Sequence, residues 1–235
     1  MKKKYFNLIV SVVIIFTYIS IRLLNYERIA ILMQLSLAPI LMGLYLVKVK
    51  KKSHRFILFL SLYSLANILH FFYNDVKSYK VYFICNLLYI LSYSFLLAEV
   101  YINIKIKNII KKFPIQFSVL ILLSVFLIYK LMVIINPEEY EGKYYFLIQA
   151  VEGFYNTVLL LLVSTSLLSL LENTTRKPFF MFLGCLFLFL SEVILLDYYY
   201  VSADFMFNVI SGVIYFLAFL CFYYQATLQI AKKES

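Results

Sequence analysis

Two glutamates, a histidine and a few amides within apolar stretches are the residues of this chain that could do chemistry. Glu152 and Glu192 could exchange protons, and Asn67, His70 and Asn156 could orient a ligand or a water molecule. An ionisable group at the centre of a bilayer costs roughly 2.5–3.5 kcal/mol on insertion scales, so such positions are a clue to function. The sequence is therefore compatible with acid–base catalysis, or with ligand binding, inside a membrane.

Helical spacing groups the polar residues into stripes. Gln149, Glu152 and Asn156 follow one another at intervals of three and four residues, so they share one helix face. Three further stripes are predicted: Tyr63, Asn67 and His70; Asn86, Tyr89 and Tyr93; and Asn208, Ser211 and Tyr215. If these stripes face inward, together with Ser191 and Glu192, they form a polar cavity open toward the outer leaflet or the aqueous face.

A structural role is the alternative interpretation of the same residues. Side-chain hydrogen bonds between membrane helices contribute about 0.6 kcal/mol each, and a single Asn or Gln needs no other role. The carboxyls are harder to explain in this way, because a buried carboxylate is costly unless it is paired or protonated. Lys130 is expected either to pair with Glu152 or Glu192 or to extend toward the membrane surface.

Other catalytic patterns are absent from the sequence. It contains no GxSxG, no phosphate-binding glycine loop and no HExxH. His54 is the only histidine besides His70, which excludes a multi-histidine zinc site. Cys85, Cys185 and Cys221 lack paired spacing and predict no disulfide framework. No metal and no other cofactor is predicted.

Eight apolar stretches must position the candidate residues. A mean hydropathy of +0.89, with 64% hydrophobic and 14% charged residues, excludes a soluble protein. About 20 predominantly apolar residues cross the roughly 30 Å of hydrocarbon in a bilayer. Because the loops are short, residues 1–235 are predicted to form one integral membrane domain, an all-α polytopic bundle. The predicted spans are 5–21, 29–47, 56–73, 81–101, 117–135, 144–171, 179–198 and 205–227.

Positive charge orients this bundle. Most of the 22 lysines and arginines fall in alternate gaps between the spans, and short basic loops stay in the cytoplasm. Both termini are therefore predicted to be cytoplasmic, in a multi-pass protein of the cell (cytoplasmic or inner) membrane, and the first stretch is expected to be a retained span. The net charge of +10 then faces anionic lipid heads, and no nucleic-acid partner is predicted. The opposite gaps contain Arg22, Arg28, Lys77, Lys80 and Lys143.

Tyrosines near the predicted span ends are expected to form an aromatic belt at the membrane interface, with a substrate cage as the lesser alternative. The tyrosines assigned to the belt are Tyr5, Tyr26, Tyr73, Tyr79, Tyr82, Tyr101, Tyr144, Tyr145, Tyr198, Tyr199 and Tyr200.

Four segments resemble motifs of the YhhN family of eight-span membrane proteins, which includes the lysoplasmalogenases. Ala38-Pro39-Ile40 in the second span is similar to a "KPL" segment, and the third-span segment that ends at Asn67 is similar to "SxxGD". Gly184-Cys185 and Ser191-Glu192 have the spacing of "GAxxFxxSD", and the segment around Tyr223-Tyr224-Gln225-Ala226 resembles "YxxAQ". Ala38 stands at the motif lysine, and Asn67 and Glu192 stand at the two motif aspartates.

The resemblance implies an eight-span bundle that hydrolyses the vinyl ether of lysoplasmalogens, with release of a fatty aldehyde and a glycerophospho head group. On this expectation Glu192 is the general acid and Glu152 is the base. The implied partner is a membrane lipid or lysolipid, and its candidate binding residues are Asn67, His70, Asn86, Asn156, Ser191 and Asn208.

Two other functions stay open. A non-catalytic protein that binds lipid or partner proteins is favoured by Ala38 and Asn67, because neither side chain can transfer a proton. A small transporter or channel is disfavoured, because four prolines and five glycines argue against the broken helices of transporter binding sites. The sequence predicts no particular oligomeric state.

Overall fold

The computed structural model describes residues 2–73, 79–102, 104–135, 144–202 and 204–231, and in these ranges every regular element is an α-helix. The helices are α1 (Lys2–Leu23), α2 (Glu27–Leu35), α3 (Leu37–Lys48), α4 (His54–Tyr73), α5 (Tyr79–Tyr101), α6 (Ile106–Lys112), α7 (Pro114–Ile134), α8 (Tyr145–Glu172), α9 (Arg176–Tyr200) and α10 (Phe205–Ala231).

The predicted polytopic helical membrane protein is confirmed. Seven segments are long and apolar enough to cross a membrane, namely α2 with α3, then α4, α5, α7, α8, α9 and most of α10. The remaining predicted span, residues 5–21, corresponds to α1. The apolar helix that can be assessed there from described side chains is Val12–Leu23, which is shorter than a full span. Lys77, Lys143, Lys232 and Lys233 lie outside the described residues, and the cytoplasmic orientation of the termini stays a prediction.

α9 and α10 form the most extensively packed pair of helices, and α4, α5 and α8 complete the core around them. Gly184 of α9 makes the close approach possible, because a Cβ atom there would lie 2.6 Å from the ring of Phe222 on α10. Phe222 packs in turn edge-on against Phe59 of α4, with ring centroids 5.7 Å apart. Interlocked aromatic rings therefore fill the centre of the bundle.

The hydrogen-bond pattern of the second span is interrupted at one carbonyl, although Ser36, between α2 and α3, keeps helical backbone angles. Pro39 has no backbone N–H, so it cannot donate to the carbonyl of Leu35 four residues earlier. Nδ2 of Asn67, on α4, donates to that carbonyl at 2.9 Å and replaces the missing donor. The scarcity of proline and glycine argues against broken helices, and the helical hydrogen bonds of this span continue on both sides of Ser36, at 3.0 Å each.

α7 lies at the periphery of the bundle and packs mainly against α8, where the hydroxyls of Ser124 and Ser164 are 3.0 Å apart. Its other faces expose large apolar side chains such as Leu122, as expected for a helix in contact with lipid. Lys130 is exposed, and its ammonium lies 5.7 Å from the ring centre of Phe126. Within the described ranges Lys130 forms no salt bridge with either candidate carboxyl, and its extension toward the membrane surface stays a prediction.

Candidate functional site

Glu192 of α9 lies beside two buried tyrosine hydroxyls. Tyr93 of α5 donates to Oε1 of Glu192 at 3.4 Å, and the Tyr93 hydroxyl is 3.2 Å from the hydroxyl of Tyr155 on α8. Tyr93 is fully buried and Tyr155 is 7% exposed. Three helices thus meet at one carboxyl group, and the hydroxyls supply hydrogen bonds that a carboxyl in an apolar environment needs.

Glu152 of α8 is the second carboxyl of the site. It is buried, whereas Glu192 is half-buried, and the hydroxyl of Tyr82 on α5 donates to Oε1 of Glu152. Tyr155 follows Glu152 by three residues, which corresponds to a rise of about 4.5 Å along the helix. Tyr155 also interacts with Glu192, so this tyrosine of α8 connects the surroundings of the two carboxyls, which together we call the carboxyl layer. The common depth of Glu152 and Glu192 in the membrane stays a prediction.

Asn156 lies one turn beyond Glu152 and is 2% exposed. Its Nδ2 donates to the backbone carbonyl of Glu152 at 2.9 Å. Its Oδ1 is a buried acceptor without a hydrogen-bond partner, the only such side-chain atom in the part of the chain that the structure describes. Because an unsatisfied buried acceptor costs about 1–3 kcal/mol, a hydrogen-bond donor from a ligand or a water molecule would stabilise this position.

Asn67 is also buried, but each polar atom of its amide has a partner. Nδ2 donates to the carbonyl of Leu35 and, at 3.4 Å, to the hydroxyl of Tyr215, while the hydroxyl of Tyr89 donates to Oδ1 at 2.9 Å. Asn67 thereby joins α4 to α2, α5 and α10. These bonds give it a structural role, and its role in ligand binding stays a prediction.

The four remaining candidates make no side-chain contact with either carboxyl among the described residues. Ser191 Oγ donates to the backbone carbonyl of Ser211 at 2.9 Å and joins α9 to α10. Asn86 Nδ2 donates within its own helix, at 3.1 Å. His70 and Asn208 are half-buried, and neither side chain forms a hydrogen bond within the described ranges.

A cavity of about 260 Å³ lies beside the carboxyl layer, between α7, α9 and the start of α10. None of the predicted site residues lines it, so it differs from the polar cavity that the stripes predict. Its wall is apolar apart from Asp197, and it is formed by Leu131, Ile134, Val193, Ile194, Leu196, Asp197 and Phe207.

Two tyrosines of the site were not recognised from the sequence. Tyr82 was assigned to the aromatic belt, and that assignment was wrong, because its hydroxyl bonds to Glu152. It precedes Asn86 by one turn, so it extends the stripe of Asn86, Tyr89 and Tyr93. Tyr155 was not singled out, although its distance of three residues from Glu152 puts it on the same helix face. Other tyrosines assigned to the belt, including Tyr26, Tyr73, Tyr101, Tyr144 and Tyr199, are exposed, and their location at the membrane interface stays a prediction.

Within the described ranges, no group of three or more His, Cys, Asp or Glu residues could hold a metal ion. Comparisons of the chain with protein-family models, with curated proteins and with solved structures find no match.

Proposed function

We propose that this chain is a YhhN-type protein of the cell membrane that hydrolyses the vinyl ether of a lysolipid. The observation that supports the proposal is the pair of carboxyls, Glu152 and Glu192, each of which accepts a hydrogen bond from a tyrosine hydroxyl of α5. Vinyl-ether hydrolysis requires an acid and a base, which two carboxyls can supply. The substrate class comes from the family resemblance of the four motif segments.

The reaction begins with proton transfer from the carboxylic acid of Glu192 to the β-carbon of the vinyl ether, which leaves an oxocarbenium ion at the α-carbon. Glu152 takes a proton from water as the water oxygen bonds to that carbon, and a hemiacetal forms. In its breakdown Glu192 accepts the hemiacetal hydroxyl proton, and Glu152 returns its proton to the departing glycerol oxygen. One water is consumed, an aldehyde and a glycerol hydroxyl are formed, and both glutamates regain their initial states.

Three tyrosines act as positioning residues in this mechanism. Tyr82 holds Glu152, while Tyr93 and Tyr155 hold Glu192. Asn156 Oδ1 is an open acceptor beside Glu152, where it can orient the attacking water. Removal of one tyrosine hydroxyl is therefore expected to slow turnover less than removal of the carboxyl that it holds.

The test is turnover of an alkenyl lysolipid by the purified full-length protein, with aldehyde and glycerophospho products measured by mass spectrometry. Loss of a general acid slows a reaction by about 10²–10⁴-fold, so Glu192→Gln should lower the rate by at least about 100-fold. Glu99→Gln is the matched control, because Glu99 lies near the opposite end of α5 and accepts a hydrogen bond from Ser53 at 2.5 Å. Unchanged turnover in Glu192→Gln, or no aldehyde from the wild-type protein, contradicts the proposal.

A second candidate function is non-catalytic binding of a lipid. It is favoured by Asn67, which stands at an aspartate position of the family motif and whose amide is engaged by three other helices. On this alternative, lipid co-purifies with the protein and an alkenyl lysolipid is bound without being consumed. The same product measurement, combined with extraction of bound lipid, distinguishes the two functions.

A further inference from the structure

Arg22 is a buried cation near the end of α1, on the side of the bundle predicted to face outward. Its side chain is only 3% exposed, whereas Arg28, in the same predicted outer region, is exposed. Removing a guanidinium from water costs several kcal/mol unless acceptors or an anion compensate it. Arg22 therefore requires an explanation that Arg28 does not.

The protein supplies Arg22 with a neutral partner. Nε of Arg22 donates to the hydroxyl of Tyr18 at 3.2 Å, and the guanidinium carbon lies 5.6 Å from the Tyr18 ring centre. A guanidinium has five N–H donors in a planar fork, so one hydroxyl leaves most of them for other acceptors. In the part of the chain that the structure describes, no carboxylate forms a salt bridge with Arg22.

A glycine of α10 leaves the space that the Tyr18 side chain occupies. It is fully buried, its ring centroid is 5.0 Å from that of Phe216 on α10, and its hydroxyl occupies the space that a Cβ atom at Gly212 would need. Any larger residue at position 212 would displace this hydroxyl. The contact between α1 and α10 therefore holds the acceptor that orients Arg22.

α10 also relates Arg22 in depth to the carboxyl layer. Ser191, adjacent to Glu192, bonds to the carbonyl of Ser211, and Tyr18 contacts the next residue, Gly212. Tyr18 thus lies close to the depth of Glu192. The backbone of Arg22 comes four residues later on α1, but its guanidinium reaches back to the Tyr18 hydroxyl and lies close to the same depth.

We infer that Arg22 binds the phosphate group of the lysolipid whose vinyl ether lies at Glu192, and this assignment rests on the lysolipid function proposed above. A phosphate offers anionic oxygens that no described residue supplies to Arg22, and a guanidinium binds them through parallel hydrogen bonds. The glycerol backbone separates the phosphate from the vinyl ether by only a few bonds, so a lysolipid whose vinyl ether lies at Glu192 keeps its phosphate near the depth of the Tyr18 hydroxyl.

The test measures binding of non-hydrolysable saturated-ether lipids to the purified full-length protein. One probe is an alkyl lysophospholipid, and the other is the monoalkylglycerol of the same chain length, which lacks phosphate. Because a charge-assisted contact contributes about 1.5–3 kcal/mol, Arg22→Gln should weaken lysophospholipid binding at least about tenfold. The affinity of the same variant for the monoalkylglycerol should stay within about twofold of the wild-type value. Arg28→Gln is the matched control and should leave both affinities within about twofold. Equal lysophospholipid affinity in Arg22→Gln and the wild-type protein overturns the inference.

Arg22→Lys keeps the charge and decides the outcome if Arg22→Gln fails to fold. Lysine lacks the planar fork, so it should weaken binding of the lysophospholipid but not of the monoalkylglycerol. Lysophospholipid affinity that equals the wild-type value in Arg22→Lys overturns the inference.

Competition by inorganic phosphate and by glycerophosphate distinguishes whether the bound phosphate group comes from a lipid or from a free phosphate. If these two compounds displace the bound lysophospholipid only in large molar excess, the phosphate that Arg22 binds belongs to a lipid. If they displace it at equal concentration, the lipid assignment is overturned.

The binding result is independent of catalysis, because the ether probes cannot be hydrolysed. Aldehyde formation without phosphate-dependent binding overturns the role of Arg22 alone. Arg22-dependent binding without aldehyde formation overturns the hydrolase function and supports the phosphate site.

Discussion

Asn67 and Asn156 are two amides of nearly equal burial, 1% and 2% exposed, that have opposite hydrogen-bonding states. Asn67 is bonded at both amide atoms by groups from three other helices. Asn156 is bonded only through Nδ2, to its own helix, and its Oδ1 is unpaired. Burial alone therefore does not distinguish a structural amide from one available to a ligand, whereas the pairing of each polar atom does.

The two amides also differ in which residues surround them. Asn67 compensates for Pro39 and holds the interrupted second span against α4. Asn156 lies one turn from Glu152, in the layer that also contains Glu192. The unsatisfied acceptor is thus one helical turn from Glu152, a group that can transfer protons, and functional sites are where proteins depart from full hydrogen bonding.

The largest effect on stability is expected from Asn67→Leu. The carbonyl of Leu35 and the hydroxyl of Tyr89 would lose their partner, so the free energy of unfolding should fall by about 1–3 kcal/mol. Asn67→Asp should also destabilise the protein, because a carboxylate cannot donate to the Leu35 carbonyl. Unfolding in detergent measures both changes. Asn86→Leu is the matched control, since Asn86 bonds only within its own helix. If Asn67→Leu and Asn86→Leu lower the free energy of unfolding equally, Asn67 contributes no more to stability than an amide bonded within its own helix.

A smaller effect is expected from the coupling between Pro39 and Asn67. Pro39→Ala restores the N–H that can donate to the Leu35 carbonyl, so Asn67→Leu should cost less in that background. A double-mutant cycle from the same unfolding measurements should show a coupling of about 1 kcal/mol. A coupling of zero would mean that Asn67 does not replace the missing backbone donor.

The smallest effect on stability is expected from Asn156→Leu. The change removes an acceptor that has no partner, so the free energy of unfolding should move by less than about 0.5 kcal/mol or increase. The thermal stabilisation that a bound lysolipid gives the wild-type protein should decrease in this variant. A loss of stability as large as that of Asn67→Leu would show that Asn156 is a second structural amide.

The fold could be predicted further than the site. Each predicted span corresponds to a helix, or to the pair α2 and α3, because the thickness of a bilayer sets the length of an apolar segment. That Glu152 and Asn156 share one helix face follows from their spacing along the sequence. The pairing of Tyr93 with Tyr155, and of Asn67 with Leu35, depends on which helices are neighbours, and spacing along a helix carries no such information. Tyr82 was misassigned for the same reason, because its partner lies on α8.

The repair of the second span by a side chain of the third has a consequence for biogenesis. An unsatisfied carbonyl in hydrocarbon costs several kcal/mol, so the segment containing Pro39 is penalised as long as it is alone in the bilayer. The Asn67 amide emerges from the ribosome with the next span to be synthesised. The two spans therefore gain stability when they enter the lipid together as a helical hairpin, and this hairpin can assemble before the downstream spans exist.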